Sequence, residues 1–285
     1  MRRSVYRRAQ GDSPVKLFFI YAVLIVFTII AVYPIVNVFS VSLRPNNRLY
    51  STSLAIIPDD ATLQAYKSVL FEKPFLLWLK NSLIVSLVTS VIGVGLASTA
   101  AYAFSRFRFR GHRAGMTLFL VAQMFPIPMF LLPLYILLGR YGLTDTLLGL
   151  AVPYVALTLP FSIWMLKGYY DTIPRELEES ASIDGASPLS AFYRVILPLS
   201  LPALAITGLF SFMTGWSEYI VARVVLTQPD LFTLPLGLVN LQGQFSTEWG
   251  NYSAAAMLIM APVMVLFLSM SRFLISGLTL GSVKG

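Results

Sequence analysis

Long apolar runs constrain this chain more than any other feature. Six stretches, 17–43, 76–104, 116–138, 147–166, 201–221 and 254–275, are apolar almost throughout. A helix crossing about 30 Å of hydrocarbon needs about 20 such residues. In lipid each backbone N–H and C=O needs a partner within the segment, so a single apolar span of this kind is a helix. The chain therefore reads as an all-α, polytopic membrane protein with six transmembrane helices. Charge agrees with this. Only 12% of the residues are charged, against about 25% in a soluble domain.

The first run follows the basic opening "MRRSVYRRAQGDSPVK", as the apolar part of a signal peptide does. It is much longer than the roughly 7–15 residues of such a segment, and no small-residue cleavage site follows it. It reads as a retained helix after a short segment, 1–16. Positive charge then sets the orientation. The cluster "RFRFRGHR" at 106–113 lies between the second and third runs, on the same side as the basic N-terminus. With that side inside, both termini are expected in the cytoplasm. Segments 44–75 and 222–253 then face outward.

Other chemistry is limited by composition. There is no cysteine, so thiolate metal sites and redox motifs are excluded. One histidine, His112, leaves no histidine triad or multi-histidine metal site, and a solvated loop residue is the plain reading. No lysine follows a glycine, so no G-x-x-x-x-G-K phosphate loop exists. The net charge of +8 belongs to loops beside a membrane. "RFRFR" alternates arginine with aromatics as some nucleic-acid binders do. Between two spans it points to topology and lipid phosphate instead, and no nucleic acid is expected as a partner.

The segment 171–200 stands out. Asp171, Glu176, Glu178, Glu179 and Asp184 crowd into an otherwise apolar half of the chain. Pro174 suits a first helical position, and the glutamates that follow suit the positive end of the helix dipole. Gly185 sits where a left-handed C-terminal residue is wanted. Ser187 and Pro188 read as the cap and first residue of a second helix, ending at Pro198. Ser180, Ala181, Ser182, Gly185 and Ala186 are small and allow close approach. Two readings fit these residues: a docking surface for another protein, or an amphipathic loop on lipid headgroups. The acids disfavour the second, because the inner leaflet is anionic.

At this point the residues resemble a known family. "EESASIDGA…VILP" is similar to the EAA loop of ABC-importer permeases, with Glu179, Ala181, Gly185, Leu197 and Pro198 on its spacing. Ser180 replaces an alanine and Val195 an isoleucine, both close in size. "NSLIVSLVTS", "AAYAFSRFRFRG", "FPIPMFLLPLYILL", "LPFSIWML" and the closing "SGLTLGSVKG" extend the resemblance from about residue 31 to the end. They look like the carbohydrate, maltose-type permeases of type I importers.

The resemblance implies a permease core at 76–285 and an inner membrane of a bacterium or archaeon. It implies that Glu178, Glu179, Ser180, Ala181, Asp184, Gly185 and Ala186 form a coupling helix that docks on a cytoplasmic ATPase. It places the tail, 277–285, in the ATPase dimer interface through Gly281, Ser282, Val283, Lys284 and Gly285. It places Gln242, Gly243, Gln244, Phe245 and Trp249, in the outer segment, against an extracytoplasmic solute-binding protein. The implied partners are a second, homologous permease, two ATPase subunits, that binding protein and membrane lipid. ATP and magnesium would sit on the ATPase subunits. No cofactor, metal or catalytic residue is expected here, and the chain is not itself an enzyme. The implied substrate is an oligosaccharide or related sugar.

Three residues near the outer end of the fifth run remain open. Glu218 is the one acid within a predicted span, and intramembrane acids are often functional. It fits the translocation path, or a pair with Arg223 about one turn on. Trp216 and Tyr219 fit sugar stacking or an interfacial aromatic belt. Pro126, Pro128, Pro133, Pro153 and Pro160 kink the third and fourth spans, either for movement or for packing alone. The rival functions are a permease for amino acids, polyamines or an oxyanion, an ion-coupled transporter or channel, and a membrane scaffold. An ion-coupled protein calls for mid-span acids, of which Glu218 is the sole candidate. A scaffold leaves the EAA spacing unexplained.

Overall fold

The computed structural model describes residues 13–50, 55–243 and 247–280. Four helices are long and apolar enough to cross a membrane. They are α1 (Pro14–Ser42), α3 (Phe75–Arg106), α6 (Leu147–Tyr170) and α13 (Trp249–Leu280). Capping at two of them follows the sequence. The Ser13 hydroxyl accepts the Lys16 N–H ahead of Pro14, and the Thr146 hydroxyl accepts the Gly149 N–H. Between α1 and α3 lies a short helix, α2 (Gln64–Phe71).

The third run is not one straight span. It consists of α4 (His112–Met124) and α5 (Ile127–Arg140), bent by 101°. Phe125 and Pro126 at the bend are both extended, with ψ of 130° and 129°. Proline disfavours the helical region for the residue before it, so Phe125 ends one helix. Pro128 then lies in the first turn of the next. Pro133, Pro153 and Pro160, by contrast, lie inside continuous helices.

After α6 come α7 (Glu176–Ile183), α8 (Pro188–Ala191), a π-helical turn (Phe192–Ile196) and α9 (Leu197–Leu199). This arm meets α10 (Leu201–Ser217) at 80°. The fifth run is therefore also shorter as a helix than the sequence suggests. α10 stops at Ser217, and α11 (Ile220–Val225) follows a break at Glu218. α12 (Leu234–Asn240) precedes the last helix.

Packing fixes the number of crossings. Phe75, Trp78 and Val85 at the start of α3 share an apolar cluster with Leu150 and Tyr154 at the start of α6, Phe212 and Trp216 at the end of α10, and Ala254 and Ala255 at the start of α13. Ala97, Ala101 and Tyr102 near the end of α3 share a second cluster with Ile163, Leu166 and Tyr170 of α6 and Ala203 of α10. So α3 and α6 run parallel and α10 runs against them. The bent α4–α5 pair must carry the chain back across between α3 and α6. That makes six crossings, with Ser13 and Leu280 on one side.

Between the two clusters α3, α6 and α10 approach closely over small residues. A Cβ added to Gly215 of α10 would lie 2.9 Å from the Ser86 Cα of α3. The Ser90 hydroxyl donates to the Gly208 carbonyl at 2.9 Å. Small residues and interhelical hydroxyl bonds are how helices associate where lipid removes the hydrophobic drive. At the end of the bundle away from Ser13 and Leu280, Asn81 donates to the carbonyls of Asp230 and Phe232 at 2.9 and 3.0 Å, and Ser82 accepts the Leu234 N–H at 2.7 Å. These bonds seat the segment after α11 on α3.

Candidate coupling surface and outer face

The polar island at 171–200 folds as a helix, a glycine turn and a second helical stretch. α7 ends in a left-handed turn at Gly185, φ +86°. The Ala186 N–H reaches the Ala181 carbonyl at 2.9 Å and the Gly185 N–H reaches the Ser182 carbonyl at 3.0 Å. This pair of bonds is a Schellman closure and needs φ > 0 at its centre. Ser187 then caps α8 by accepting the Ser190 N–H at 3.3 Å, with Pro188 first in the helix. Pro174 differs from expectation. It lies two residues ahead of α7, whose first residue is Glu176. Pro198 does not end its helix either. It lacks the N–H that would bond to the Arg194 carbonyl, and the wide π turn just before it absorbs the loss.

The acids of the island divide into two sets. Glu178 turns inward and pairs with Arg106, the last residue of α3; the Glu178 side chain is 14% exposed and that of Arg106 7%. The Tyr102 hydroxyl donates to the same carboxylate at 2.8 Å. Arg106 also donates to the Ile173 carbonyl at 3.1 Å, and Arg175 to the Ser105 carbonyl at 3.2 Å. Asp171 accepts from the Ser105 hydroxyl at 2.7 Å and from Lys167 at 2.6 Å. Glu176, Glu179 and Asp184 remain exposed, with Ser180, Ser182 and Gly185 beside them. Ala181 and Ala186 are half-buried. Ile183 is 87% exposed, and Leu189 and Tyr193 are exposed too. The island is thus an acidic and apolar surface on a base riveted to α3. Tyr102, Ser105 and Arg106 were not singled out for this role in the sequence. The only hint was that "RFRFR" begins where the second span ends.

The three residues near the fifth span also separate. Trp216 is 2% exposed and stacks on Phe212 with centroids 5.4 Å apart. Its faces are packed inside the protein, so it stacks on no sugar and joins no interfacial belt. Glu218 does not pair with Arg223. Its carboxylate accepts the Val221 N–H at 3.0 and 3.1 Å, the Ala222 N–H at 3.2 Å and the Tyr154 hydroxyl at 2.6 Å. It therefore caps the N-terminus of α11, a natural carboxylate position. Tyr219 is half-buried against the outer cluster.

Residues 92–279 match the family described as binding-protein-dependent transport system inner membrane component. The chain belongs to this family. The permease is similar along nearly its whole length to curated relatives. It is 36% identical to the galactooligosaccharides transport system permease protein GanQ of Bacillus subtilis (strain 168), over 95% of this chain and 96% of that one. It is 35% identical to the diacetylchitobiose uptake system permease protein DasC of Streptomyces coelicolor (strain ATCC BAA-471 / A3(2) / M145), over the full length of both. It is 35% identical to the maltose/maltodextrin transport system permease protein MalG of Yersinia pestis, over 95% and 94%. Its fold matches a chain from the crystal structure of a bacterial ABC transporter involved in import of the acidic polysaccharide alginate. The TM-score is 0.79 at 24% identity, covering 92% of this chain and 98% of that one. The family is an inner-membrane one, and the fold is that of a type I importer permease.

At the end of the bundle away from Ser13 and Leu280, a bridge joins Gln242 and Thr247. Gln244 and Phe245 lie outside the described residues, as do tail residues Gly281 to Gly285. Gln242 and Gly243 are both exposed. Trp249 is not a loop residue. It opens α13 and meets Tyr252 edge-on at 6.0 Å. The helix then runs through Gly277 to Leu280, so the first residues of the expected tail are helical. α13 is anchored from across the chain. The Asn47 carboxamide accepts the Asn251 N–H at 3.0 Å, Asn251 donates to Glu248 at 2.8 Å, and Lys73 pairs with Glu248 at 3.2 Å. These donors hold the Glu248 carboxyl below its ordinary pKa, the Asn251 bond first.

Proposed function

We propose that this chain is the transmembrane permease subunit of an ATP-driven, binding-protein-dependent importer for an oligosaccharide or related sugar. It forms half of a translocation path with a second, homologous permease. ATP and magnesium are bound by two cytoplasmic ATPase subunits, and this chain does no covalent chemistry. A solute-binding protein delivers the sugar on the opposite face, where Gln242–Thr247 and the start of α13 lie. The termini face the cytoplasm, following the basic clusters.

The observation that carries this reading is the seating of α7. Its exposed face offers Glu179, Asp184 and Ile183, while its inner face is locked to α3 through Glu178 and Arg106. A push on such a helix is delivered to α3, and α3 packs along both α6 and α10. Motion of an ATPase pair can therefore reach the crossing helices through one ion pair and one helix end. Alternating access follows when the coupling helices of the two permeases are rotated together. The carbohydrate assignment is supported by the three relatives above, each named for an oligosaccharide or maltodextrin system. The ion-coupled alternative loses its candidate acid, because Glu218 is engaged as a helix cap.

The test is coupled uptake in the assembled transporter. Glu179→Lys reverses a charge on the exposed face and touches nothing inside. It is expected to leave six-span insertion intact and to cut ATPase association by more than about tenfold, since like-charge contacts across an interface cost several kcal/mol. Full assembly with full uptake of the oligosaccharide in this variant would remove α7 from the coupling path.

A further inference from the structure

The arginine cluster of 106–113 is not used up by the coupling surface. Where α3 ends and the chain turns into α4, the structure forms an open pocket of about 670 Å³. This lies within the roughly 300–1,000 Å³ of small-molecule sites. Arg106, Arg108, Arg113, Lys167, Arg175 and His112 line it, and no acidic side chain does. Two of the cations are already neutralised from behind, Arg106 by Glu178 and Lys167 by Asp171. Arg175 donates to the Ser105 carbonyl and His112 bonds the Phe104 carbonyl at 2.7 Å. Arg108 and Arg113 are exposed, and their guanidinium groups have no described hydrogen-bond or ion partner. The cavity is thus left with two uncommitted guanidinium groups facing one space.

Its place in the fold says what kind of anion reaches it. α3 is long and apolar enough to span a membrane, and the pocket sits at the end of that helix, where a span meets the headgroups. Phe107 and Phe109, on the same turn, are both exposed, as residues at the edge of the acyl region are. Basic pockets between helices at this level bind phospholipid headgroups. Guanidinium groups hold phosphate oxygens two at a time, in a geometry lysine cannot copy. A zwitterionic headgroup brings its own ammonium into the cationic pocket with no net negative charge, whereas a phosphatidylglycerol headgroup brings a net negative charge and no ammonium.

We propose that this pocket binds the phosphate of an anionic phospholipid headgroup, with Arg108 and Arg113 as its principal ligands. Bound there, the lipid bridges the end of α3 and the start of α4, next to the base of α7. The site neighbours the coupling surface but does not depend on what the transporter carries.

The experiment uses the full chain in nanodiscs of equal phosphatidylglycerol and phosphatidylcholine, extracted in mild detergent, with retained lipid read by native mass spectrometry. The unaltered chain is expected to retain phosphatidylglycerol preferentially. Arg108→Gln with Arg113→Gln is expected to cut that preference roughly tenfold. Arg108→Lys with Arg113→Lys keeps the charge that sets topology and loses the forked geometry, so a smaller loss, roughly threefold, is expected. Arg140→Gln with Arg223→Gln removes the same charge at the far end of the bundle and is expected to change nothing. Equal loss in this last pair, or no loss in the first, overturns the pocket. If excess inorganic phosphate displaces phosphatidylglycerol from the unaltered chain, the site takes a soluble phosphate and the lipid assignment falls.

Discussion

α1 and α3 look alike as sequence and behave oppositely in the fold. They have 29 and 32 residues, and α1 has the more apolar window. Yet α1 buries nothing before Ser40, while α3 buries residues along its whole length, from Phe75 to Ser105. Its substantial packing against another span is with α13 alone, whereas α3 lies between α6 and α10. Hydropathy therefore says that a helix crosses, not that it is central. Centrality is written in small and hydroxyl residues. α3 carries Ser82, Ser86, Thr89, Gly93 and Ala97 on one face, and α1 offers Phe, Ile, Val and Tyr on every face. A membrane helix with bulky residues all round meets lipid or a flat surface, and one with a small-residue face admits another backbone.

The largest effect should come from cutting α3 at the end that carries the Arg106–Glu178 pair. Arg106→Ala leaves Glu178 buried without its cation. Removing one partner of a buried pair costs about 3–5 kcal/mol. The variant is expected to lose the seating of α7, seen as rapid proteolysis between Tyr170 and Pro188 and as loss of ATPase assembly. Arg106→Ala with Glu178→Leu removes both charges and is expected to recover stability but only part of the coupling. If the single variant resists protease as the parent does, the ion pair is not what holds α7.

Next in size is the close approach of α10 to α3. Gly215→Leu must displace the Ser86 backbone, because even a Cβ would come to 2.9 Å of its Cα. Overpacking a tight site costs about 1–3 kcal/mol. A fall in thermal stability in detergent, accompanied by partial aggregation, is the expected result. An unchanged melting temperature would mean that α10 does not sit as closely on α3 as described.

How much of this was legible beforehand follows the same division. The four continuous spans lie close to the apolar runs, and the Gly185 turn and Ser187 cap follow directly from residue type. The bend at Phe125–Pro126 was not legible as a bend. Proline at Pro133 or Pro153 stays inside a helix, and only the neighbouring Pro128 and the extended Phe125 make this one a break. The early stop of α10 was hidden because Glu218 bonds forward to Val221 and Ala222, a local choice that hydropathy does not register. The Arg106–Glu178 pair joins residues far apart in the chain, and a single sequence carries no signal of such a contact. The outer helices α2 and α12 are short and only partly apolar. α12 owes its order to Asn81, Ser82 and Trp78 of α3, and α2 is held by the Ser42–Tyr66 hydroxyl pair and by the Asn251 bond to Ser68, rather than by their own pattern.

A smaller effect is expected where the end of α1 meets α13. Asn47→Ala removes the side chain that accepts the Asn251 N–H, a loss of about 1 kcal/mol for a helix cap. The same corner should be sensitive to acid. The pKa of Glu248 is depressed by Asn251 and Lys73, so its contribution is present above the ordinary glutamate pKa and lost as pH falls through the folded value. Melting temperature followed from neutral to acid pH should therefore drop less steeply in Glu248→Gln than in the parent. Parallel curves would show that the carboxylate gives this corner no pH-dependent stability.

The smallest effect belongs to the middle of α1, and it decides whether the comparison holds. Phe27 is 66% exposed at the centre of the helix. Phe27→Leu keeps the residue apolar and keeps a good helix former in place. With no cavity to create and no contact to lose, the change in folding stability of this chain should stay within about 0.5 kcal/mol. The matching change on α3, Val85→Ala, empties space in a fully buried site of the outer cluster. It should cost clearly more, since large-to-small core changes lose both transfer energy and contacts. Both variants can be compared in one detergent by thermal melting of the full chain. If Phe27→Leu destabilises as much as Val85→Ala, the chain itself packs against the middle of α1, and α1 and α3 are not opposites. A normal melt with impaired assembly of the transporter would instead place the Phe27 face against another subunit, leaving this chain's own core where α3, α6 and α10 meet.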